Sequence, residues 1–267
     1  MQKTLSAVLI RQRLLKEFFK LVSKSRFFFV SSCILKCVIV SLYATLFAGD
    51  KMKIISSENA INAPVFVWGE EKSHDQSAKQ LFEAVKKLTG KSFSIASFSV
   101  TDWNGQFSPW KAPAVFGNED FAGNAGETLK YLETQILPEI KKTFSKSKIF
   151  LAGYSLAGLF SLWALYESAA FDGAVCCSSS LWFQNWDEYA ATHEIKNPAS
   201  IYMSLGNREE KTRNKVMSSV GAQTEKQKAL LVGSSKVERF VFEWNEGGHF
   251  SEPLLRLAKG IAGILNV

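Results

Sequence analysis

The sequence predicts an α/β fold over residues 52–267: a mostly parallel sheet of about six strands with helices on both faces. Three observations predict it. Short apolar runs of strand length alternate with helical segments from residue 64 to the C-terminus, the pattern of parallel strands joined by helical crossovers. Apolar residues make up 46% and charged residues 21% of the 267, which suits a large buried core and argues against a disordered chain. One strand runs through a turn of small residues straight into an apolar helix, at the carboxyl edge where such sheets bind ligands.

The elements follow in order. Pro64–Gly69 is a short apolar run ending in Gly, a buried strand. Asp75–Leu88 carries Ala78, Leu81, Phe82, Val85 and Leu88 at helical spacing, with Gly90 as the stop. Ser92–Val100 alternates and reads as a strand. Thr101–Gly123 is a long segment rich in Trp, Phe, Gly and Pro, and its length marks it as functional rather than a plain connection. Glu127–Phe144 is helical, with a kink expected at Pro138. Lys148–Ala152 is a strand and Leu156–Ala169 a helix. Gly173–Cys177 and Ser200–Leu205 are strands, and Lys211–Val232 is mostly helical. Val237–Trp244 is the last strand and Glu252–Leu265 the closing helix.

The formal net charge of +7 is confined to the N-terminus. Residues 1–51 hold nine Lys/Arg against Glu17 and Asp50, whereas residues 52–267 hold 23 basic and 23 acidic residues. The domain therefore has no global basic field, and a nucleic-acid partner is not supported. Within residues 1–51, the stretch 27–49 is long and apolar enough to span a bilayer, but Lys36 near its middle is costly there. Three readings stand: a membrane anchor with a basic flank, an atypical export signal, or sequence upstream of a true start at Met52. The protein accordingly reads as cytoplasmic, or as membrane-anchored if 27–49 is an anchor. Cys176 and Cys177 are adjacent and point to opposite faces of a strand, so they read, like Cys33 and Cys37, as unpaired residues of a reducing compartment. No spacing resembles a metal site.

Gly153-Tyr154-Ser155-Leu156-Ala157-Gly158 is close to the G-x-S-x-G nucleophile elbow. A sharp strand-to-helix turn needs small neighbours, which Gly153 and Ala157 supply, and the helix N-terminus favours negative charge developing near Ser155. A serine nucleophile needs a base. His249, in Asn245-Glu246-Gly247-Gly248-His249-Phe250 after the last strand, stands where a late imidazole would; His74 and His193 read as solvated or surface residues. The acid orienting the base belongs after the preceding strand, where Glu209 and, second, Glu210 stand. Oxyanion donors are expected from the Leu156 amide and from the loop after Ser92–Val100, with the Trp103 amide preferred over those of Asp102 and Asn104. Trp103, Phe107, Trp110, Trp182, Phe183 and Trp186 follow strand ends. They either line an apolar substrate cleft, with Trp110, Trp182 and Phe183 as the preferred contacts, or pack the core.

The motif GYSLAG, with SSSLWF, SLGNREEKTRN, EWNEGGHF and DWNGQFSPWKAPAVFG, resembles the esterases of the α/β-hydrolase superfamily that are similar to ferric-siderophore (enterobactin and bacillibactin) esterases. The resemblance covers about residues 52–267. It implies an α/β-hydrolase fold, no metal or organic cofactor, a small-molecule ester as substrate, Ser155 as nucleophile and His249 as base. The leading expectation is a serine hydrolase that cleaves carboxylic esters through an acyl-enzyme. An acyltransferase using the same nucleophile and a catalytically silent ligand-binding protein of the same fold are the alternatives.

Overall fold

The computed structural model of the chain describes residues 52–71 and 77–266. The candidate anchor at 27–49, the whole of 1–51, and His74 lie outside the described residues. No helix among the described residues is long and apolar enough to cross a membrane.

The strands are β1 (Lys53–Ser56), β2 (Val65–Glu71), β3 (Ser94–Val100), β4 (Lys111–Ala112), β5 (Phe121–Ala122), β6 (Ile149–Tyr154), β7 (Gly173–Cys177), β8 (Ala199–Gly206) and β9 (Val237–Asn245). The helices are α1 (Ser77–Leu88), α2 (Trp103–Phe107), α3 (Ala125–Tyr131), α4 (Leu137–Thr143), α5 (Leu156–Glu167), α6 (Trp186–Thr192), α7 (Val220–Gly233) and α8 (Pro253–Leu265).

Seven strands form one sheet in the order β1-β3-β2-β6-β7-β8-β9, parallel throughout except for β1, which runs antiparallel to β3. The chain winds outward from β2 to β3 and then returns to β6 to wind the other way. The boundary between β2 and β6 is therefore the topological switch, where the strand ends part and leave room for a ligand. The sheet thus matches the expected mostly parallel architecture, with one strand more than the six read from the sequence.

The core lies on both faces. Alternate residues of β6 and β7 split between them: Cys176 packs on the face covered by α5, and Cys177 on the face covered by α8. Both thiols are buried and free. Helix α5 is buried from Leu156 to Tyr166, so it reads as apolar all round rather than amphipathic. On the opposite face α8 packs against α1.

Three details depart from expectation. The helix expected at 127–144 runs from α3 to α4 through a π turn at Leu132–Ile136, closed by the Leu137 amide on the Leu132 carbonyl. Pro138 has no N–H to give to the preceding turn, and the wider turn just before it absorbs that loss. The helix expected from Lys211 starts only at Val220. Before it, Asn214 Oδ1 accepts the amides of Val216 and Met217, which holds the segment in short turns. The long segment 101–123 contains α2 and the small β4–β5 hairpin.

Candidate active site

The strand-to-helix junction at β6–α5 is tight. Ser155 has φ 57 and ψ −123, a conformation L-residues avoid, and holding it costs on the order of 1–3 kcal/mol. The surroundings over-determine it: the Ser155 amide donates to the Cys177 carbonyl at 3.0 Å, and its carbonyl accepts from Leu159 and Ser180. A Cβ on Gly153 would stand 2.0 Å from the Ala157 carbonyl oxygen. A Cβ on Gly158 would stand 2.5 Å from Ser179 Oγ and 3.1 Å from the Cys177 carbonyl. The close approaches of the elbow therefore fall on Gly153 and Gly158, which is why Ala157 is tolerated where the commoner motif has glycine.

The Ser155 hydroxyl meets His249 Nε2 at 3.0 Å, and His249 Nδ1 meets Glu209 Oε2 at 2.8 Å. These side chains come from loops after β6, β8 and β9, neighbouring carboxyl ends of one sheet or one strand beyond. Glu209 is buried, and burial alone would push its carboxyl up. Hydrogen bonds from His249 and Ser178, the His249 charge and the Gly206 amide outweigh that and hold it below the ordinary range. An ionised Glu209 only accepts, so Nδ1 carries the proton and Nε2 offers its lone pair to the Ser155 hydroxyl. Glu210, the second candidate acid, is exposed and lines a different cleft with Leu205, Asn207 and Trp244.

A buried cation stands behind Glu209. Arg256 of α8, 2% exposed, donates through Nη1 to Glu209 Oε1 at 2.8 Å, Ser178 Oγ at 3.0 Å and the Tyr154 hydroxyl at 3.2 Å. Its Nη2 donates to the carbonyls of Glu246 and Gly248, both at 2.9 Å. Ser178 and the Gly206 amide complete the set on Oε1. Tyr154, just before Ser155, donates to the His249 carbonyl at 2.6 Å; burial pushes its phenol up to about 12, so it stays a donor. The loop carrying His249 is pinned further by Asn207 Oδ1 on the Gly247 amide and by the left-handed φ of Gly247.

Sequence reasoning missed Arg256, Tyr154, Ser178 and Ser180, whose hydroxyl lies 3.3 Å from that of Ser155. Arg256 carried a signal: it is a cation within the apolar run of the closing helix, and a charge on an inward face requires a partner.

The Leu156 amide heads α5 beside Ser155, where helical geometry leaves it without an intrahelical acceptor. In the loop after β3, the amides of Thr101 and Asp102 both go to Gln106 Oε1, and that of Gly105 goes to Asp102 Oδ1. Among the described residues this leaves Trp103 and Asn104 without an acceptor, so Asp102 drops out as a donor. Sheet order adds a second fact. The strand beside β6 is β2, not β3, and the residues after β2, 72–76, lie outside those described.

Trp182 lines a cleft of about 270 Å³ together with His249 and Phe250. Phe183 is buried behind it, and Trp110 packs on Phe183 and Tyr189 while its indole donates to the Gln184 carbonyl. Trp186 and Phe107 are core residues. His193 is on the surface, stacked on Tyr189.

The chain matches the family model described as "Putative esterase" over residues 80–253, more than half its length. No curated protein matches it in sequence. Among solved structures it is similar to an IroE-like serine hydrolase from Shewanella oneidensis, at 18% identity and TM-score 0.64, covering 81% of this chain and 76% of that one. It is also similar to two siderophore hydrolases of Aspergillus nidulans. EstA gives 16% identity and TM-score 0.61, covering 81% of this chain and 90% of that one. EstB gives 13% identity and TM-score 0.62, covering 81% and 94%. At these identities the likeness is one of fold, and the fold is the α/β-hydrolase fold.

Proposed function

The chain belongs to this esterase family and is a carboxylic ester hydrolase; from that premise we propose that it works through an acyl-enzyme on Ser155. His249 Nε2 takes the Ser155 proton as the hydroxyl oxygen attacks the ester carbonyl. Glu209 keeps the imidazole in the reactive tautomer and supports the imidazolium. The imidazolium then protonates the departing alkoxide, and the acyl group remains on Ser155. Water then gives a proton to His249 as its oxygen attacks the acyl carbon, and the imidazolium returns that proton to Ser155 Oγ as the bond to the acyl group breaks and the carboxylic acid leaves.

The tetrahedral oxyanion takes the Leu156 amide as one donor, with the positive end of α5 behind it. The Trp103 amide is the second donor in this reading. Trp182 contacts the substrate directly, and Phe183 and Trp110 buttress it. The observation that carries the proposal is the unbroken relay from Ser155 Oγ through both nitrogens of His249 to Glu209, with bonds of 3.0 and 2.8 Å.

The test is turnover of p-nitrophenyl acetate and butyrate by the wild type, Ser155→Ala and His249→Ala, with fluorophosphonate labelling alongside. Activity and labelling that both vanish in Ser155→Ala are expected. Wild-type turnover by Ser155→Ala would sink the acyl-enzyme. A wild type inert to both esters and the probe would point to a silent binding protein. Products of alcohol acceptors in excess of hydrolysis would point to an acyltransferase.

A further inference from the structure

The cleft beside His249 has an apolar body and a cationic rim. Trp182, Met217 and Phe250 form its apolar part, and Phe250 is 88% exposed although it follows the base directly. Arg208 and Lys211 stand on the rim, flanking Glu209 in the short turn after β8. Both are exposed, and neither has an ion-pair partner among the described residues.

Of the two carboxylates in the same turn, Glu209 is engaged and Glu210 lies against another cleft. Glu209 is the carboxylate lining this cleft, and it already accepts from His249, Ser178, Gly206 and Arg256. Glu210 lines the other cleft, with its carboxylate against Gly221. Residues 52–267 carry equal numbers of acids and bases, so this local excess of positive charge at the mouth of the site is not a property of the whole surface. Unpaired cations on the rim of a cleft with apolar walls raise the local concentration of anionic ligands.

We propose that the preferred substrates are esters whose far end bears a carboxylate on an aromatic body, with the carboxylate held by Arg208 and Lys211 and the ring by Trp182 and Phe250. The guanidinium of Arg208 takes a carboxylate through two parallel hydrogen bonds, and the exposed Phe250 ring is the apolar surface that a flat substrate covers. This rests on the esterase reading of Ser155 and adds the substrate class.

The experiment compares 4-acetoxybenzoate with its methyl ester, following release of acetate alone and normalising each rate to that ester's hydroxide hydrolysis, so that the remaining difference reports the remote carboxylate. The wild type is expected to favour the anion in kcat/KM by roughly tenfold, the worth of one hydrogen bond to a charged group. High salt should shrink that ratio. In Arg208→Gln/Lys211→Gln the ratio should fall to about one, because both cations that hold the carboxylate are gone. Arg208→Lys should retain part of it. A wild-type ratio near one, or a ratio unchanged in the double variant, would overturn the proposal while leaving the esterase reading intact. Turnover of neither ester would instead count against the esterase reading itself.

Discussion

Arg256 Nη1 lies 2.8 Å from Glu209 Oε1, and both side chains are sealed from solvent, at 2% and 3% exposure. The carboxylate therefore divides its charge between a permanent cation on one oxygen and the imidazole on the other. Arg256 reduces the electrostatic support that Glu209 gives an imidazolium, and in return fixes the carboxylate and the Glu246 and Gly248 carbonyls of the base-bearing loop.

This predicts two separable effects of Arg256→Met. Breaking a buried pair by removing one partner costs about 3–5 kcal/mol, so the unfolding midpoint should drop sharply. With the cation gone, Glu209 Oε1 and the Glu246 and Gly248 carbonyls lose their donor, the loop that carries His249 is held less firmly against Ser155, and kcat should fall with KM little changed. Arg256→Lys should recover part of kcat while recovering less of the stability. A merely structural arginine would lower stability and leave the kcat of the folded enzyme where it was.

Glu209→Gln should lower kcat by roughly 10²–10⁴-fold, since the amide neither balances an imidazolium nor enforces its tautomer. Glu210→Gln should be close to wild type. Linkage gives a second reading. The Glu209 carboxyl is held below its ordinary 4.5 in the folded state, so it adds stability above pH 4.5 that is lost as pH falls through the folded-state value. Denaturant unfolding across that window should show a shallower acid loss in Glu209→Gln. If Glu210→Gln is the damaging change, the acid is misassigned.

The elbow distributes its tolerance unevenly, and mutagenesis should follow the contacts. Gly158→Ala forces a methyl against Ser179 Oγ and the Cys177 carbonyl, and overpacking of this kind costs about 1–3 kcal/mol. Gly153→Ala meets backbone at 2.0 Å and should be worse, with activity falling further than stability because Ser155 is displaced. Ala157→Gly should cost about 1–2 kcal/mol, the helix propensity difference plus the buried methyl it removes. Thermal melts and ester turnover measured together check this ranking.

How far the sequence carried depends on what each feature needs. Strands read from apolar runs and helices from period need only local pattern, and the large elements are where the pattern put them. Ser155, Glu209 and His249 were legible because each follows a strand, and parallel strands bring such residues to one edge. β1 was missed because Lys53–Ser56 is short and mostly exposed, without an apolar run. Helix α6 was missed because Trp186–Thr192 sits in a polar stretch with two acids. Strand order is not local: β3 precedes β6 among the long strands, yet β2 pairs with β6. Arg256 needed knowledge of what its helix faces, which only the packed sheet supplies.

That strand order bears on the second oxyanion donor, and one backbone substitution tests it. Trp103 is the first residue of α2, and Asp102 before it caps the helix through its carboxylate with φ −134 and ψ 91. The first helical position tolerates proline, and the residue before a proline prefers the extended backbone Asp102 already has. Trp103→Pro therefore removes an amide hydrogen with little change of path. It also removes the indole, so Trp103→Ala, which keeps the amide, is the reference. If Trp103 donates to the oxyanion, the proline variant should turn over p-nitrophenyl acetate about 10²–10³-fold more slowly than the alanine variant in kcat, the usual loss for one donor. KM should change little, because the donor acts on charge that develops only in the transition state. Equal kcat in the two variants would remove Trp103 from the role.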